Sequence, residues 1–228
     1  MPFITSANIA CGFHAADPAT IWKTVKMAKA NGVAVGAHPS YPDLVGFGRR
    51  PMEVSPEEVM ADVLYQVGAL AAICRHEGVR LQHVKPHGAL YNKAAVDPAI
   101  ARAIAEAVKS VDPELYLVCL SNSEMVGAAR TAGIRCVEEV FADRAYTREG
   151  KLVPRTQAGS VIHDPSVAAE RVLTMVRDRV VVAIDGTPVP ITAQTICVHG
   201  DTVAAIEMLG IIRTRLEQEQ VRLKAFGA

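Results

Sequence analysis

Short, β-branched apolar runs alternate along the chain with longer stretches whose apolar positions recur every three or four residues. The runs Ile4–Cys11, Val33–Ala37, Leu81–Pro86, Leu115–Leu120, Ile134–Phe141 and Thr195–Val198 predict strands. Between and after them, Ala19–Ala30, Pro56–Glu77, Pro98–Ser110, Ser123–Ala132, Pro165–Arg179 and Thr202–Glu219 predict helices. The helix starts carry matching chemistry. Asp17-Pro18, Asp97-Pro98 and Asp164-Pro165 each place an acidic cap before a proline at the first helical position, and Ser55-Pro56-Glu57-Glu58 offers a capping box. Gly32, Gly78 and Gly133 fall just past helices, where a left-handed residue is wanted, and Gly210-Ile211 repeats the pattern more weakly inside the last helix.

Alternating βα units predict a parallel sheet with covering helices, either open and doubly wound or closed as a barrel. An open sheet of that kind often carries a glycine-rich phosphate loop after its first strand. Here the first strand runs into Ala10-Cys11-Gly12-Phe13-His14, and no Walker-type glycine-lysine motif occurs elsewhere. Polar residues follow several different strands, which favours the barrel. With no linker or shift in composition, residues 1–228 read as a single domain. Arg144–Val161 is the longest irregular stretch and a candidate lid, and Val180–Pro190 reads as a hairpin around Asp185-Gly186.

Composition narrows the function classes. The 228 residues include 24 basic and 24 acidic side chains, so no net charge draws the chain toward nucleic acid or an anionic membrane. Half the residues are apolar, which excludes a disordered chain. No stretch approaches the roughly 20 apolar residues of a membrane span, and Met1-Pro2-Phe3 begins no signal peptide. The five cysteines, at 11, 74, 119, 136 and 197, lack metal or redox spacing and read as free thiols in a reducing cytoplasm. The single tryptophan, Trp22, lies on a helix and is expected to pack against the sheet. Sparse aromatic residues supply no platform for bases or long glycans.

The histidines carry the most information. Four of the seven directly follow a strand: His14, His38, His87 and His199. In a parallel barrel all strand C-termini open on one face, so these four are expected at one mouth, with small or rigid neighbours such as Gly12, Pro39 and Gly88. His76, His83 and His163 fall in a helix, a strand and a turn, and receive no role. Carboxylates accompany the group: Asp17, Asp43 and Asp201 lie close after histidines, although Asp17 and Asp201 also suit helix caps, and Asp143 ends a strand. Two or three histidines with a carboxylate would suit a divalent ion holding a water, with His14 and His38 as candidate ligands; the spacing is not a compact metal signature. Lys85, at a strand end beside Pro86 and His87, could stabilise negative charge on a carbonyl or phosphoryl oxygen. Arg144, Arg155 and the Arg49-Arg50 pair could hold a substrate carboxylate.

The segments Ser6-Ala-Asn-Ile-Ala-Cys-Gly-Phe-His-Ala-Ala-Asp17 and Val35-Gly-Ala-His-Pro-Ser-Tyr-Pro-Asp-Leu-Val-Gly-Phe-Gly-Arg-Arg50 resemble the LamB/YcsF family. The resemblance continues through Val84-Lys-Pro-His-Gly-Ala-Leu-Tyr-Asn92, Glu139-Val-Phe-Ala-Asp-Arg-Ala-Tyr146, Leu152-Val-Pro-Arg155 and Ile196-Cys-Val-His-Gly-Asp201. It implies a distorted, roughly seven-stranded β/α barrel related to glycoside hydrolases and carbohydrate deacetylases. It also implies the A component of prokaryotic 5-oxoprolinase, opening 5-oxoproline to glutamate with ATP, jointly with subunits B and C that share the nucleotide. Family members carry an acidic Asp-Leu-Asn-x-Asp-x-Gly-Glu-like strand before the Ser-Ala-Asn-Ile segment. The expectation is therefore a barrel lacking its first strand, with an open edge that invites pairing between copies.

On this reading His14 and His38 activate water, directly or through a metal, Lys85 and His87 stabilise the oxygen that gains charge, and Asp143 orients a histidine or accepts a proton. Asn8, Tyr91, Asn92, Arg144, Arg155 and His199 are the expected substrate-binding residues. Two other readings stand beside it: a metal-dependent carbohydrate deacetylase or amide hydrolase, and a non-catalytic subunit that positions its partners.

Overall fold

A computed structural model describes residues 1–200 and 204–227. Its larger sheet has six strands: β1 (Ser6–Ala10), β2 (Ala34–His38), β3 (Leu81–Val84), β4 (Tyr116–Leu120), β5 (Arg135–Phe141) and β8 (Thr195–Cys197). Their order is β1-β2-β3-β4-β5-β8. The registered pairs β1–β2, β2–β3, β3–β4 and β5–β8 are all parallel. Successive strands are neighbours with no reversal of order. That is the winding of a β/α barrel and not of a doubly wound sheet, which reverses at a switch point. Each of the six sequence-predicted strands is present.

The chain divides into two compact units: Met1–Cys119 with Ser123–Val137, and Leu120–Asn122 with Glu138–Ala228. In the first unit, helices α1 (Pro18–Ala30), α2 (Pro56–His76), α4 (Pro98–Val111) and α5 (Glu124–Ala132) cover the strands. Helix α4 buries Ile100, Ala101, Ala103, Ile104, Ala105, Ala107 and Val108, and α2 buries Val59, Val63, Val67, Leu70 and Cys74. The alanines let α4 pack closely, and burial of the larger side chains contributes on the order of 1.5–3 kcal/mol each. Asp17 and Asp97 accept hydrogen bonds from the first-turn amides of α1 and α4, and Ser55 with Glu58 closes the expected capping box on α2. Each cap is worth about 1 kcal/mol. Gly32, Gly78 and Gly133 all adopt positive φ, as helix stops require.

Helix α3 (Gly88–Ala94), between β3 and α4, has no counterpart among the predicted helices; seven residues are too few to show a helical period. Trp22 departs from expectation. It is 44% exposed, and its indole N–H donates to Glu77 while its ring meets His76 edge-on, so it joins α1 to the end of α2 on the surface.

In the second unit, α6 (Pro165–Arg177) and α7 (Ala205–Gln218) share a core of Ala168, Ala169, Val172, Leu173, Met208, Ile212 and Leu216. Asp164 caps α6. The hairpin at Val180–Pro190 is present as β6 (Val180–Val182) and β7 (Pro188–Pro190), antiparallel, with Gly186 at positive φ. The candidate lid is instead pinned: Ala145 N–H donates to Ser160 O, Val153 N–H to Ala145 O, and the Tyr146 hydroxyl accepts from Phe141 N–H. Tyr146, Val153 and Ser160 are buried. Among the described residues no helix is long and apolar enough to cross a membrane.

Candidate active site

Three histidines gather in the first unit where β1, β2 and β3 end. His14 and His87 stack with ring centroids 4.0 Å apart, and His38 meets both rings edge-on. His14, His87 and Lys85 are all less than 10% exposed. Their hydrogen bonds fix the protons. His38 Nδ1 lies 2.6 Å from Lys85 O, and His87 Nε2 lies 2.8 Å from Phe47 O. A carbonyl oxygen only accepts, so both outer nitrogens carry hydrogen. The inner nitrogens, His87 Nδ1 and His38 Nε2, then face each other at 3.0 Å. Two neutral rings would oppose lone pairs there; one further proton turns the contact into an N–H···N bond. Burial, His87 and the Lys85 ammonium all hold the His38 pKa well below its usual value. His38 is therefore neutral at physiological pH, and a proton taken up between the two inner nitrogens would be given up more readily than from a solvated imidazolium. His14 is lowered to about 3 by burial, then by His87 and Arg49, and is neutral at physiological pH.

A loop spanning residues 41–50 covers these rings. Asp43, buried, accepts from Gly46 N–H at 2.8 Å and from the Arg50 guanidinium, which pulls its carboxyl pKa down to about 2. This clamp sets the turn that brings Phe47 edge-on to His14 and His87. Gly48 has φ +65°, and a Cβ there would lie 2.9 Å from His14 Cβ, His87 Cδ2 and Ser40 Oγ. Its carbonyl accepts from Ala89 N–H at the start of α3. Asp43 is thus the loop's anchor. Beneath, Lys85 extends its ammonium to 5.7 Å from the centroid of the Tyr91 ring. Tyr91 is buried on α3, whereas Asn92 is exposed there.

Asn8, Gly36 and His83 lie in one register row across β1, β2 and β3. His83 Nε2 is 2.9 Å from Asn8 Oδ1. From sequence His83 has no role, since a histidine inside a strand normally belongs to the core.

The second unit carries its own pair. Asp143, buried, receives His199 Nδ1 at 2.8 and 3.0 Å from its two oxygens and the His199 backbone N–H at 3.3 Å. Burial raises the Asp143 pKa, but the His199 hydrogen bond and charge outweigh it, and the net shift is downward. Phe141 stacks on the His199 ring. Arg144 is buried and donates to Ser160 O at 3.2 Å and Val153 O at 2.6 Å, bracing the irregular segment it begins. Arg155 is half-buried in that segment, and its carbonyl accepts from Ser160 Oγ. Asp17 is a helix cap, and Asp201 lies outside the described residues.

The LamB/YcsF family model matches residues 1–228. The chain belongs to the LamB/YcsF family. The A subunit of a 5-oxoprolinase from Thermus thermophilus is 56% identical over 99% of this chain and 90% of its own length. The corresponding subunit from Clostridium beijerinckii is 53% identical over 97% of this chain and 87% of its own. The crystal structure of a lactam utilization protein, also from Thermus thermophilus, superposes with a TM-score of 0.92 at 54% identity, covering 99% of this chain and 90% of that one.

The expected divalent ion finds a poor fit in this LamB/YcsF chain. His14 Nδ1 is buried with no hydrogen-bond partner among the described residues, so one imidazole nitrogen is unused by the protein's own hydrogen bonds. Yet its ring stacks parallel to His87 instead of converging with it, and two nitrogens on one tetrahedral zinc would stand about 3.3 Å apart, wider than the His38–His87 contact. Among the described residues no three His, Cys, Asp or Glu side chains are arranged to hold an ion.

Proposed function

We propose that this chain is the A subunit of a 5-oxoprolinase, which opens the lactam of 5-oxoproline to glutamate at the expense of ATP. The observation that carries the reading is the contact of half-buried His38 with buried His87, with Lys85 beside them, in a chain more than half identical to relatives named for that enzyme. A lactam amide is a poor electrophile. Transfer of a phosphoryl group from ATP to the lactam oxygen makes the ring carbon attackable by water; the carbon–nitrogen bond of the adduct then breaks to leave an acyl phosphate, which a second water hydrolyses to glutamate and phosphate. Three tasks follow for protein groups: taking a proton from water, giving one to the departing nitrogen, and countering charge on the oxygen.

The inner nitrogens of His38 and His87 suit the first task, and a proton taken from water and held between them can pass on to the departing nitrogen, the second task. The Lys85 ammonium suits the third. Neutral His14, stacked on His87, is a second candidate base beside the pair. In the second unit Asp143 holds His199 in a fixed orientation, a base–carboxylate pair of the kind that keeps an imidazole in one tautomer. Asn8, Tyr91, Asn92 and Arg155 remain the candidates for contact with substrate. The chain has no phosphate loop of its own, so the nucleotide site is shared with partner subunits B and C, in the cytoplasm. No step is assigned to a metal.

The test is glutamate and ADP formation from 5-oxoproline and ATP by the chain combined with its two partners. Coupled formation of both products that disappears when this chain is omitted supports the reading. Amide cleavage by the chain alone without ATP would favour the amide-hydrolase alternative.

A further inference from the structure

The Asn8–Gly36–His83 row has a geometry that ordinary sheet packing does not require. The three residues are paired partners on β1, β2 and β3, so their Cα atoms line up across the sheet. A Cβ on Gly36 would fall 1.9 Å from His83 Nε2 and 2.2–2.3 Å from its neighbouring ring atoms. The imidazole thus lies flat over the middle strand, in the space where any other residue at 36 would have a side chain. It crosses that strand to reach Asn8 on the far one, 2.9 Å away. Side chains two apart on a strand share a face. His38 follows Gly36 by two and Lys85 follows His83 by two, so the row lies on the same face as His38 and Lys85, one layer below them. Lys85 adds its charge to burial in lowering the His83 pKa to about 3, which keeps the ring neutral. A neutral ring has one N–H, and the 2.9 Å contact with a carboxamide oxygen is better than the 3.2 Å contact with Gln82. His83 is buried, whereas Asn8 is exposed and open to a ligand.

We propose that His83 is a positioning residue for the substrate: its Nε2–H holds the Asn8 carboxamide by the oxygen, which aims the Asn8 N–H groups at an oxygen of 5-oxoproline. Gly36 is the element that permits the reach. The inference rests on the function proposed above. His83 touches no reacting atom and acts through Asn8.

The experiment is a double-mutant cycle on 5-oxoproline KM and kcat in the reconstituted three-subunit enzyme. H83L removes the donor at similar volume and is expected to raise KM about tenfold, the worth of one well-made hydrogen bond, with kcat within about threefold of wild type. N8A is expected to do the same, and H83L added to N8A to do nothing more. H83Q, whose amide N–H reaches the same place, is expected to bring KM back within about threefold of wild type. Independent, multiplying effects of H83L and N8A, or H83Q behaving like H83L, would overturn the proposal. A second readout separates it from the parent reading. Nitrogen-15 NMR of the chain should show His83 as the Nε2–H tautomer, with its ring shifts altered in N8A. If the wild-type complex fails to turn over 5-oxoproline, the proposed function falls while this signal still decides whether His83 holds Asn8. Ring shifts unchanged in N8A would refute the contact itself.

Discussion

His87 Nδ1 stands 3.0 Å from His38 Nε2, while the outer nitrogen of each ring is tied to a backbone carbonyl. The two carbonyls belong to Lys85 and Phe47, one just past the strand that precedes His87 and one on the loop that covers it. The backbone carbonyls thus hold a proton on each outer nitrogen and leave the two inner nitrogens facing each other as a site for one further proton.

Replacing either member should abolish that arrangement. His87→Ala or His38→Ala is expected to lower kcat for glutamate formation at least about 100-fold, the usual contribution of a positioned acid–base group. Circular dichroism should show the fold retained, because His38 ends a strand and His87, at the N-cap of α3, makes no side-chain capping hydrogen bond. Wild-type kcat in either variant would remove the pair from the chemistry.

Gly36→Ala should be destabilising for a reason confined to one contact. The new methyl would overlap the His83 ring, and expelling a buried ring from its seat costs about 1–3 kcal/mol. Urea denaturation of the variant against wild type measures this. In His83→Ala the seat is empty, so adding Gly36→Ala should there cost less than about 0.5 kcal/mol.

Acid should weaken the fold through buried histidines. His83 has a folded pKa of about 3 against an ordinary value of 6.5, so between those limits the unfolded chain binds a proton that the folded chain does not. Its stabilising contribution is full above pH 6.5 and falls as the pH is lowered. From pH 6.5 to 4.5 the loss from His83 alone is about 2 kcal/mol. The urea midpoint followed against pH should decline over this range in wild type and more shallowly in His83→Gln. Equal slopes would show that His83 is not the group responsible.

Asp143→Asn keeps the shape of the Asp143–His199 pair and removes its charge. His199 Nδ1 would lose its carboxylate acceptor, and the ring would be free to adopt the other tautomer. A fall in kcat of about 100-fold, with a melting temperature within a few degrees of wild type, is the expected result. A change confined to the melting temperature would make the pair structural.

Much of this is legible in the sequence where the signal is local. The caps at Asp17, Ser55, Asp97 and Asp164 are decided by neighbours within three residues, and all formed. The same holds for the strand-end positions of His14, His38 and His87, since strand and turn are read from one short segment. What escapes depends on residues distant in sequence. His83 gains a role only because strand register places it opposite Gly36 and Asn8. Arg144 looks free in the sequence to hold a substrate, but the chain folds back and presents the carbonyls of Val153 and Ser160 to it. Asp43 looks like a companion to His38, whereas a residue seven positions on, Arg50, claims it.

Whether the buried cation beside the histidine pair takes part in the chemistry is tested most directly by Lys85→Met in the three-subunit enzyme, read as kcat for coupled ATP hydrolysis and glutamate formation. Methionine keeps the length and bulk of the buried side chain and removes its charge. The expected result is a loss of at least about 100-fold with melting unchanged or raised, since a buried charge has been removed. Full turnover in Lys85→Met would contradict a role for the ammonium in countering charge on the substrate oxygen.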